Sequence, residues 1–214
     1  MSPVRSARTP RGGLYRIARL PDPLAWPPWE FVGGGRFDDP QREFRVLYAA
    51  AQRRGPFVET LAQFRPLLEA LARMRRVGGN EEPLPKTRVP AHWYQRHAVA
   101  RLRLLPGQRW LDLRAPQTRE ILRAELATTL LTQGLSDLDL SRVLGPGRTL
   151  TQTIARWAYE HGYAGLAYHS RLDHTLTLWA IFEGAAFEPV GLPEPITPDD
   201  PDLVATARLF GLVL

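Results

Sequence analysis

The sequence predicts an α+β fold, in which strands and helices are mixed without the regular alternation of a doubly wound sheet. Several short segments alternate apolar and polar residues, which is typical of strands. Two longer segments in the second half of the chain repeat their apolar residues at helical spacing instead. The 214 residues suffice for one domain with a sizeable core, and no internal repeat is visible.

Strands are predicted where short alternating or β-branched and aromatic runs occur between turn residues. They fall at residues 14–20, 44–49, 98–104, 109–113, 164–168 and 176–182. In the second of these, Phe44, Val46 and Tyr48 share one face, because side chains alternate across a strand.

Helical spacing is predicted from Gly55 onwards, and Pro66 either breaks this helix or opens the next one. Later helices are predicted over 118–132, with an N-cap near Thr118, and over 150–161. Residues 21–35 and 78–90, which are rich in Gly and Pro, are predicted loops.

The predicted domain organisation has three parts. Residues 1–13 are basic and polar and are expected to be disordered. Residues 14–187 form the domain itself. The Pro- and Asp-rich tail, 188–214, is expected to pack on the same domain and to end in an apolar helix or strand.

Composition excludes several classes of function. The chain has no cysteine, so it has neither disulfides nor thiolate metal ligands nor a cysteine nucleophile. No secretory signal and no apolar run of about 18 residues are present, so we expect a cytoplasmic protein without a membrane partner. The net charge is +6, and almost all of the positive charge is arginine. These arginines are spread along the chain, which disfavours nucleic-acid binding.

Most standard motifs are missing from the sequence. The triplet Gly33-Gly34-Gly35 lacks the spacing of a dinucleotide fingerprint, and no phosphate-binding loop or nucleophile elbow occurs. His169 and His174 have no third ligand nearby, so no metal is expected. Ser170 has the right neighbours for a catalytic triad, but triad members normally converge from separate elements.

A set of segments in a fixed order nevertheless resembles the RES domain family, which is named for its Arg, Glu and Ser. In chain order they are Tyr15-Arg16-Ile17, Gly35-Arg36-Phe37-Asp38, Val46 to Ala50 with Phe57 to Ala62, and Gly162 to Arg171 with Trp179 to Phe182. Each block alone is weak. Together they cover most of residues 14–187, while 78–106 matches less well.

The resemblance implies a small curved mixed or antiparallel sheet flanked by helices, similar to the ADP-ribosyltransferase fold. It implies an NAD⁺ cleft and a toxin that consumes NAD⁺, which is then a substrate, by hydrolysing or phosphorolysing the bond to nicotinamide. It also implies a cognate antitoxin, and an acidic one would suit a chain of charge +6. Transfer of ADP-ribose to a protein of the host cell is the nearest alternative, followed by a non-enzymatic module that binds NAD⁺ or a protein.

The residue types fit this chemistry. Nicotinamide departs as a neutral group and leaves a cation on the ribose, so one carboxylate is the useful catalyst, and we expect Glu59 in that role. The alternative for Glu59 is a helix N-terminal residue that complements the helix dipole. With Arg16 and Ser170 it makes up the predicted catalytic set.

The predicted NAD⁺-binding set adds Arg36 and Tyr48 to these three residues. Arg16 and Arg36 would bind the pyrophosphate through bidentate hydrogen bonds, although surface arginines are common in this chain. The ring of Tyr48 would stack on a base, or else pack in the core. Ser170 would donate a hydrogen bond to the nicotinamide side, or else be an ordinary turn residue.

Overall fold

The computed structural model describes residues 4–69, 71–72 and 87–214. In these residues the strands form one curled, eight-stranded sheet with the order β4-β5-β6-β2-β1-β3-β7, and β8 also pairs with β3. The strands are β1 (Leu14–Arg19), β2 (Val46–Ala50), β3 (His97–Leu104), β4 (Trp110–Asp112), β5 (Gly165–His169), β6 (Thr177–Phe182), β7 (Phe187–Pro189) and β8 (Glu194–Pro195). Only β4 and β5 pair in parallel, so the mixed, curved sheet predicted from the sequence is confirmed.

Helices flank the sheet. They are α1 (Arg54–Leu61), α2 (Ala91–Arg96), α3 (Pro116–Glu125), α4 (Ala127–Thr132), α5 (Leu140–Leu144), α6 (Thr149–Glu160) and α7 (Pro201–Phe210). Short 3₁₀ turns lie at Trp29–Phe31 and Ala62–Phe64. None of the helices in the described ranges is long and apolar enough to cross a membrane.

Two helix predictions need correction. The helix expected over 118–132 is two helices that meet at Leu126, which has φ −95° and ψ 4°. Its N-cap is Ala115 rather than Thr118, because Pro116 occupies the first helical position, where a missing N–H costs nothing. Helices α2 and α5 have six and five residues, too few for their periodicity to be visible in the sequence.

Part of the N-terminal segment expected to be disordered lies against the sheet. Ser6 pairs with Leu111 of β4, and the amide of Ala7 donates to the carbonyl oxygen of Trp110 over 2.8 Å. Ala7 is also buried, so this pairing covers the free edge of β4. The expectation of disorder is therefore not met at residues 5–7, where the unpaired groups of an edge strand supply hydrogen bonds.

The predicted loop 78–90 lies mostly outside the described residues. Its last part, 87–90, has no regular structure apart from a bridge between Arg88 and Val213. In the region after Pro66, residues 68, 69, 71 and 72 are helical. The C-terminal tail contains α7, whose Leu203 and Ala207 pack in one cluster with Phe57 and Leu61 of α1. Of the two forms predicted for the end of the tail, a helix or a strand, the structure has a helix.

The feature that creates a cleft is the divergence of β1 from β2. Strand β1 pairs with β3 along its whole length but meets β2 at one position only, Tyr15 opposite Ala50. Beyond that pair the two strands separate, so backbone groups of β2 face a gap instead of a neighbouring strand. Helix α1 lies over this gap and contacts both strands.

Candidate functional site

A cleft of about 260 Å³ opens where β1 and β2 separate. It is lined by residues of four strands, helix α1 and two loops: Arg16, Ile17, Gly35, Arg36, Tyr48, Ala49, Ala50, Pro56, Glu59, Thr60, Tyr168, Arg171 and Leu178. Four of the five residues predicted for the site, Arg16, Arg36, Tyr48 and Glu59, are among them. The fifth, Ser170, lies directly behind Glu59.

Helix α1 carries Glu59 into the cleft because its first turn packs tightly on β2. A Cβ atom at Gly55 would lie 2.4 Å from the Cβ of Ala50, so only glycine permits this approach. One turn later, Glu59 projects into the cleft, where water still reaches it. The surrounding protein raises the pKa of Glu59 above its usual value, and this desolvation outweighs the opposing effects of Ser170, Arg36 and Arg171.

Ser170 holds the Glu59 carboxylate from behind. Its side chain is buried, and Oγ donates a 2.6 Å hydrogen bond to Oε1 of Glu59. The same Oγ accepts from the amides of Leu172 and Asp173 at 3.0 and 3.2 Å. Since a hydroxyl has one proton, Ser170 in this arrangement orients Glu59 and has no proton left for a ligand.

Arg16 lies in the gap between the strands. Its Nη1 donates to the carbonyl oxygen of Tyr48 at 2.9 Å, and its Nε donates to the carbonyl oxygen of Pro23 at 3.0 Å. The guanidinium thus satisfies a β2 carbonyl that faces the gap. Burial lowers the pKa of Arg16 to about 10, which leaves the group charged at neutral pH.

Arg36 lines the cleft from the loop before β2 and is hydrogen-bonded to the end of helix α5. Both of its Nη atoms donate at 2.9 Å, Nη1 to the carbonyl oxygen of Val143 and Nη2 to that of Gly145. Burial, and then the charge of Arg171, lower the pKa of Arg36. Arg36 therefore anchors α5 while its charge still faces the cleft.

The position of Tyr48 is set by a buried carboxylate that the sequence prediction did not single out. Its hydroxyl donates to Oδ1 of Asp38 at 2.8 Å and accepts from the amide of Phe37 at 2.9 Å. The other oxygen of Asp38 accepts from the amides of Gly33 and Gly35 at 2.9 and 2.6 Å. Burial, together with the charge of Asp38, keeps the pKa of Tyr48 well above its usual value.

Gly35 is required at this point. A Cβ there would lie 2.3 Å from Oδ1 of Asp38 and 2.5 Å from the hydroxyl oxygen of Tyr48. The glycine triplet that the sequence shows as a loop is thus folded around the Asp38 carboxylate.

Two further residues of the cleft, Tyr168 and Arg171, were not predicted as site residues. Tyr168 packs its ring on Phe37, with 4.5 Å between the ring centroids, and burial raises the pKa of its hydroxyl. Arg171 is exposed and follows Ser170 directly. Its place at the end of the Gly162 to Arg171 block, directly after a predicted site residue, is the signal that the sequence offers for it.

The cleft thus combines one carboxylate with three guanidinium groups, from Arg16, Arg36 and Arg171, and two aromatic rings. Such a site can bind an anion that carries an aromatic group, and Glu59 can stabilise a positive charge that develops beside it. In the described ranges, no group of three His, Asp or Glu side chains is arranged to hold a metal ion.

Comparison with known proteins supports this assignment of fold and family. The family model of the RES domain matches residues 13–205, which extends beyond residue 187 into the predicted tail. The fold is similar to the crystal structure of the M. tuberculosis MbcT–MbcA toxin–antitoxin complex, with a TM-score of 0.57 and 14% identity over 93% of this chain and 88% of that chain. A comparison with curated proteins found no match. The chain therefore belongs to the RES domain family.

Proposed function

We propose that this protein is the toxin of a toxin–antitoxin pair and that it consumes NAD⁺ by cleaving the bond between nicotinamide and ribose. The observation that carries the proposal is the Glu59 carboxylate, which Ser170 holds in a cleft with three arginines. Membership of the RES domain family and the fold shared with the toxin–antitoxin complex add support.

In the proposed reaction, nicotinamide leaves with the electron pair of its bond to the ribose C1′ atom. The ribose becomes an oxocarbenium-like cation, which the ionised Glu59 stabilises. Water then adds to C1′ and loses a proton, so that NAD⁺ and water give ADP-ribose, nicotinamide and a proton. No strong general acid is needed, because the leaving group departs neutral.

The other site residues bind and orient the dinucleotide. Arg16 would face the pyrophosphate with the part of its guanidinium that Tyr48 and Pro23 do not use. Arg36 would contribute charge, since its Nη atoms are already bound to backbone carbonyls. The ring of Tyr48 would contact the nicotinamide, and Ser170 would act through Glu59.

An antitoxin is the proposed protein partner. The net charge of +6 would favour an acidic one, because opposite fields speed association. Co-expression with the product of a neighbouring reading frame should rescue growth and give a complex that co-purifies. If neither occurs, the pairing is wrong even where NAD⁺ cleavage is real.

The decisive experiment follows free nicotinamide when purified protein is incubated with NAD⁺. Wild type should release it, and Glu59→Gln should lower kcat/KM by at least about a hundredfold, because the substitution keeps the shape and removes the charge. Glu125→Gln, the same acid-to-amide change at an exposed residue of α3 outside the cleft lining, is the matched control.

Other outcomes separate the alternative functions. Equal activity of wild type and Glu59→Gln would reject Glu59 as the catalytic residue. Mass-shifted proteins in a lysate given NAD⁺ would identify an ADP-ribosyltransferase instead. Tight binding of NAD⁺ without any turnover, with or without lysate, would identify a binding module.

A further inference from the structure

The glycine triplet, residues 33–35, is held by two side chains that bind different groups of its backbone. Oδ2 of Asp38 accepts from the amides of Gly33 and Gly35. Nε2 of Gln152 donates to the carbonyl oxygens of the same two glycines, at 3.2 and 3.0 Å. One side-chain amide of helix α6 thus joins the two ends of a segment that lies 117 to 119 positions earlier in the chain.

Burial does not explain these contacts. Gly33 and Gly34 are exposed, so water can serve as a hydrogen-bond partner in this segment. A run of glycines has more conformational freedom than any other sequence, and Gly33 has a φ of 104°, which other residues rarely adopt. The hydrogen bonds from Gln152 therefore restrict the conformation of the triplet more than they satisfy buried groups.

The residue that follows the triplet is Arg36, which lines the cleft. Its guanidinium donates to the carbonyl oxygens of Val143 and Gly145 at the end of α5. A guanidinium has five N–H groups, and these bonds use two of them, so the others can face a ligand. The backbone before Arg36 and the guanidinium itself are therefore both held by residues 143–152.

Gln152 holds the triplet without adding a charge. It is half-buried on α6 and is not among the residues that line the cleft. Arg148 also contacts the triplet, through the carbonyl oxygen of Gly34, but its positive charge lowers the pKa of Arg36. Gln152 is thus the position at which the hold on the triplet can be changed while the charges around the cleft stay the same.

From these contacts we propose that Gln152 is a positioning residue for the cleavage of NAD⁺, because it holds the glycine triplet in the conformation that directs Arg36 into the cleft. Gln152 touches no substrate and acts through Arg36, whose charge holds the anionic part of the dinucleotide. This inference rests on the proposed function for the identity of the substrate and the reaction. Since Arg36 binds the substrate equally before and during bond cleavage, a loosened triplet weakens binding and leaves the chemical step unchanged.

The test compares the kinetics of nicotinamide release by Gln152→Met and by wild type. Methionine keeps the length of the side chain and removes the donor. The KM for NAD⁺ should rise at least about fivefold, while kcat per folded molecule should stay within about twofold of wild type. Gln117→Met, the same change at an exposed residue of α3 outside the cleft lining, is the matched control and should leave both constants unchanged.

A double variant tests whether Gln152 acts through Arg36. Arg36→Met removes the charge and should raise KM by more than Gln152→Met does. Adding Gln152→Met to Arg36→Met should then change KM by less than about twofold, because effects that pass through one group do not add. Additive effects of the two substitutions would overturn the inference, and so would a wild-type KM in Gln152→Met.

Hydrogen exchange separates a loosened triplet from a general loss of stability. In Gln152→Met, the amides of residues 33–36 should exchange at least about tenfold faster than in wild type, while those of β3 keep their rate. Equal acceleration in both segments would overturn the inference. Gln152→Asn, whose amide is too short to keep both contacts, is a milder variant that should give the same pattern with a smaller rise in KM.

Failure of the proposed function gives a different pattern. If wild type binds NAD⁺ without releasing nicotinamide, and Gln152→Met weakens that binding at least about fivefold, the role of Gln152 stands and the reaction falls. If wild type releases nicotinamide and Gln152→Met has the same KM, the reaction stands and the role of Gln152 falls. A wild type that neither binds nor cleaves NAD⁺ would overturn both.

Discussion

Helix α1 carries charged residues of two kinds at its two ends. At its start, Arg53 contacts Asp200 and Asp202 at 2.8 Å each and Glu194 at 3.2 Å. Six residues further on, Glu59 accepts a hydrogen bond from a serine, and among the described residues it forms no ion pair. The charge of Arg53 is thus paired with three carboxylates, whereas among the described residues the carboxylate of Glu59 is paired with no cation.

The two ends differ in what burial does to their carboxylates. Burial alone would raise the pKa of Asp200, but hydrogen bonds from Arg53 and from the amide of Leu203 outweigh it, so the pKa lies below its usual value. For Glu59 the desolvation prevails and the pKa is raised. Asp200 therefore stabilises the fold as an anion, whereas an ionised Glu59 is kept available for a ligand at some cost to the fold.

Asp38 is a second buried carboxylate whose two oxygens are both hydrogen-bonded, and it provides the strongest test of a carboxylate that serves the fold. Asp38→Ala should lower the free energy of unfolding by about 3 kcal/mol, because the amides of Gly33 and Gly35 and the hydroxyl of Tyr48 all lose their acceptor. Denaturant unfolding measures the loss. Asp22→Ala, which removes one exposed acceptor, should cost less than about 1 kcal/mol, and an equal loss in both variants would contradict this account.

Asp200 should show the same behaviour with a smaller effect. Asp200→Ala removes the N-cap of α7 and a partner of Arg53, and should cost about 2 kcal/mol of unfolding free energy. Nicotinamide release per folded molecule should not change. Glu194→Ala, which removes the most exposed partner of Arg53, should cost under about 0.5 kcal/mol. A loss of activity in Asp200→Ala beyond the loss of folded protein would argue against separating the two ends of the helix.

Ser170 tests the proposed catalytic role of Glu59, because it donates a hydrogen bond to that carboxylate. Ser170→Ala should lower kcat/KM about tenfold, since one hydrogen bond to the catalytic carboxylate is worth roughly 1.5 kcal/mol. That bond favours the ionised form, so its loss raises the pKa of Glu59 further and moves the acid limb of the pH profile to higher pH. Ser141→Ala on the surface of α5 is the control. An acid limb that stays in place would show that Ser170 does not act through Glu59.

Much of the sheet could be predicted from the sequence because its pattern is local. The alternation in residues 98–104 corresponds to β3, and residues 44–49 anticipate β2 with Val46 and Tyr48 on one side. The order of the strands could not be predicted in this way, because the divergence of β1 from β2 depends on pairings between distant segments. Strands β7 and β8 are too short, at three and two residues, to show any period.

In the candidate site, too, what could be predicted is local in the sequence, and what could not depends on contacts between distant residues. Arg16, Glu59 and Ser170 could be named from the sequence because family resemblance singles out residue types in order. The roles of Asp38 and Arg36 could not, since they depend on contacts across the fold, such as the one between Arg36 and Val143, 107 positions away. The hydrogen bond that the hydroxyl of Ser170 donates to Glu59 could not be predicted from the sequence either.

The smallest expected effect is a change in the free energy of unfolding, and it tests whether Glu59 serves a ligand and not the fold. Because its pKa in the folded protein is raised, protonation of Glu59 favours the fold: the stability gained is full below the unfolded pKa and is lost as the pH rises through the folded one. Glu59→Gln stays neutral, so its free energy of unfolding at pH 7 should be larger than that of wild type. The difference should be a few tenths of a kcal/mol, because water reaches the group. The difference should vanish near pH 4. A variant less stable than wild type at pH 7 by more than about 1 kcal/mol would make Glu59 a structural carboxylate like Asp200, and the loss of its activity would then say nothing about catalysis.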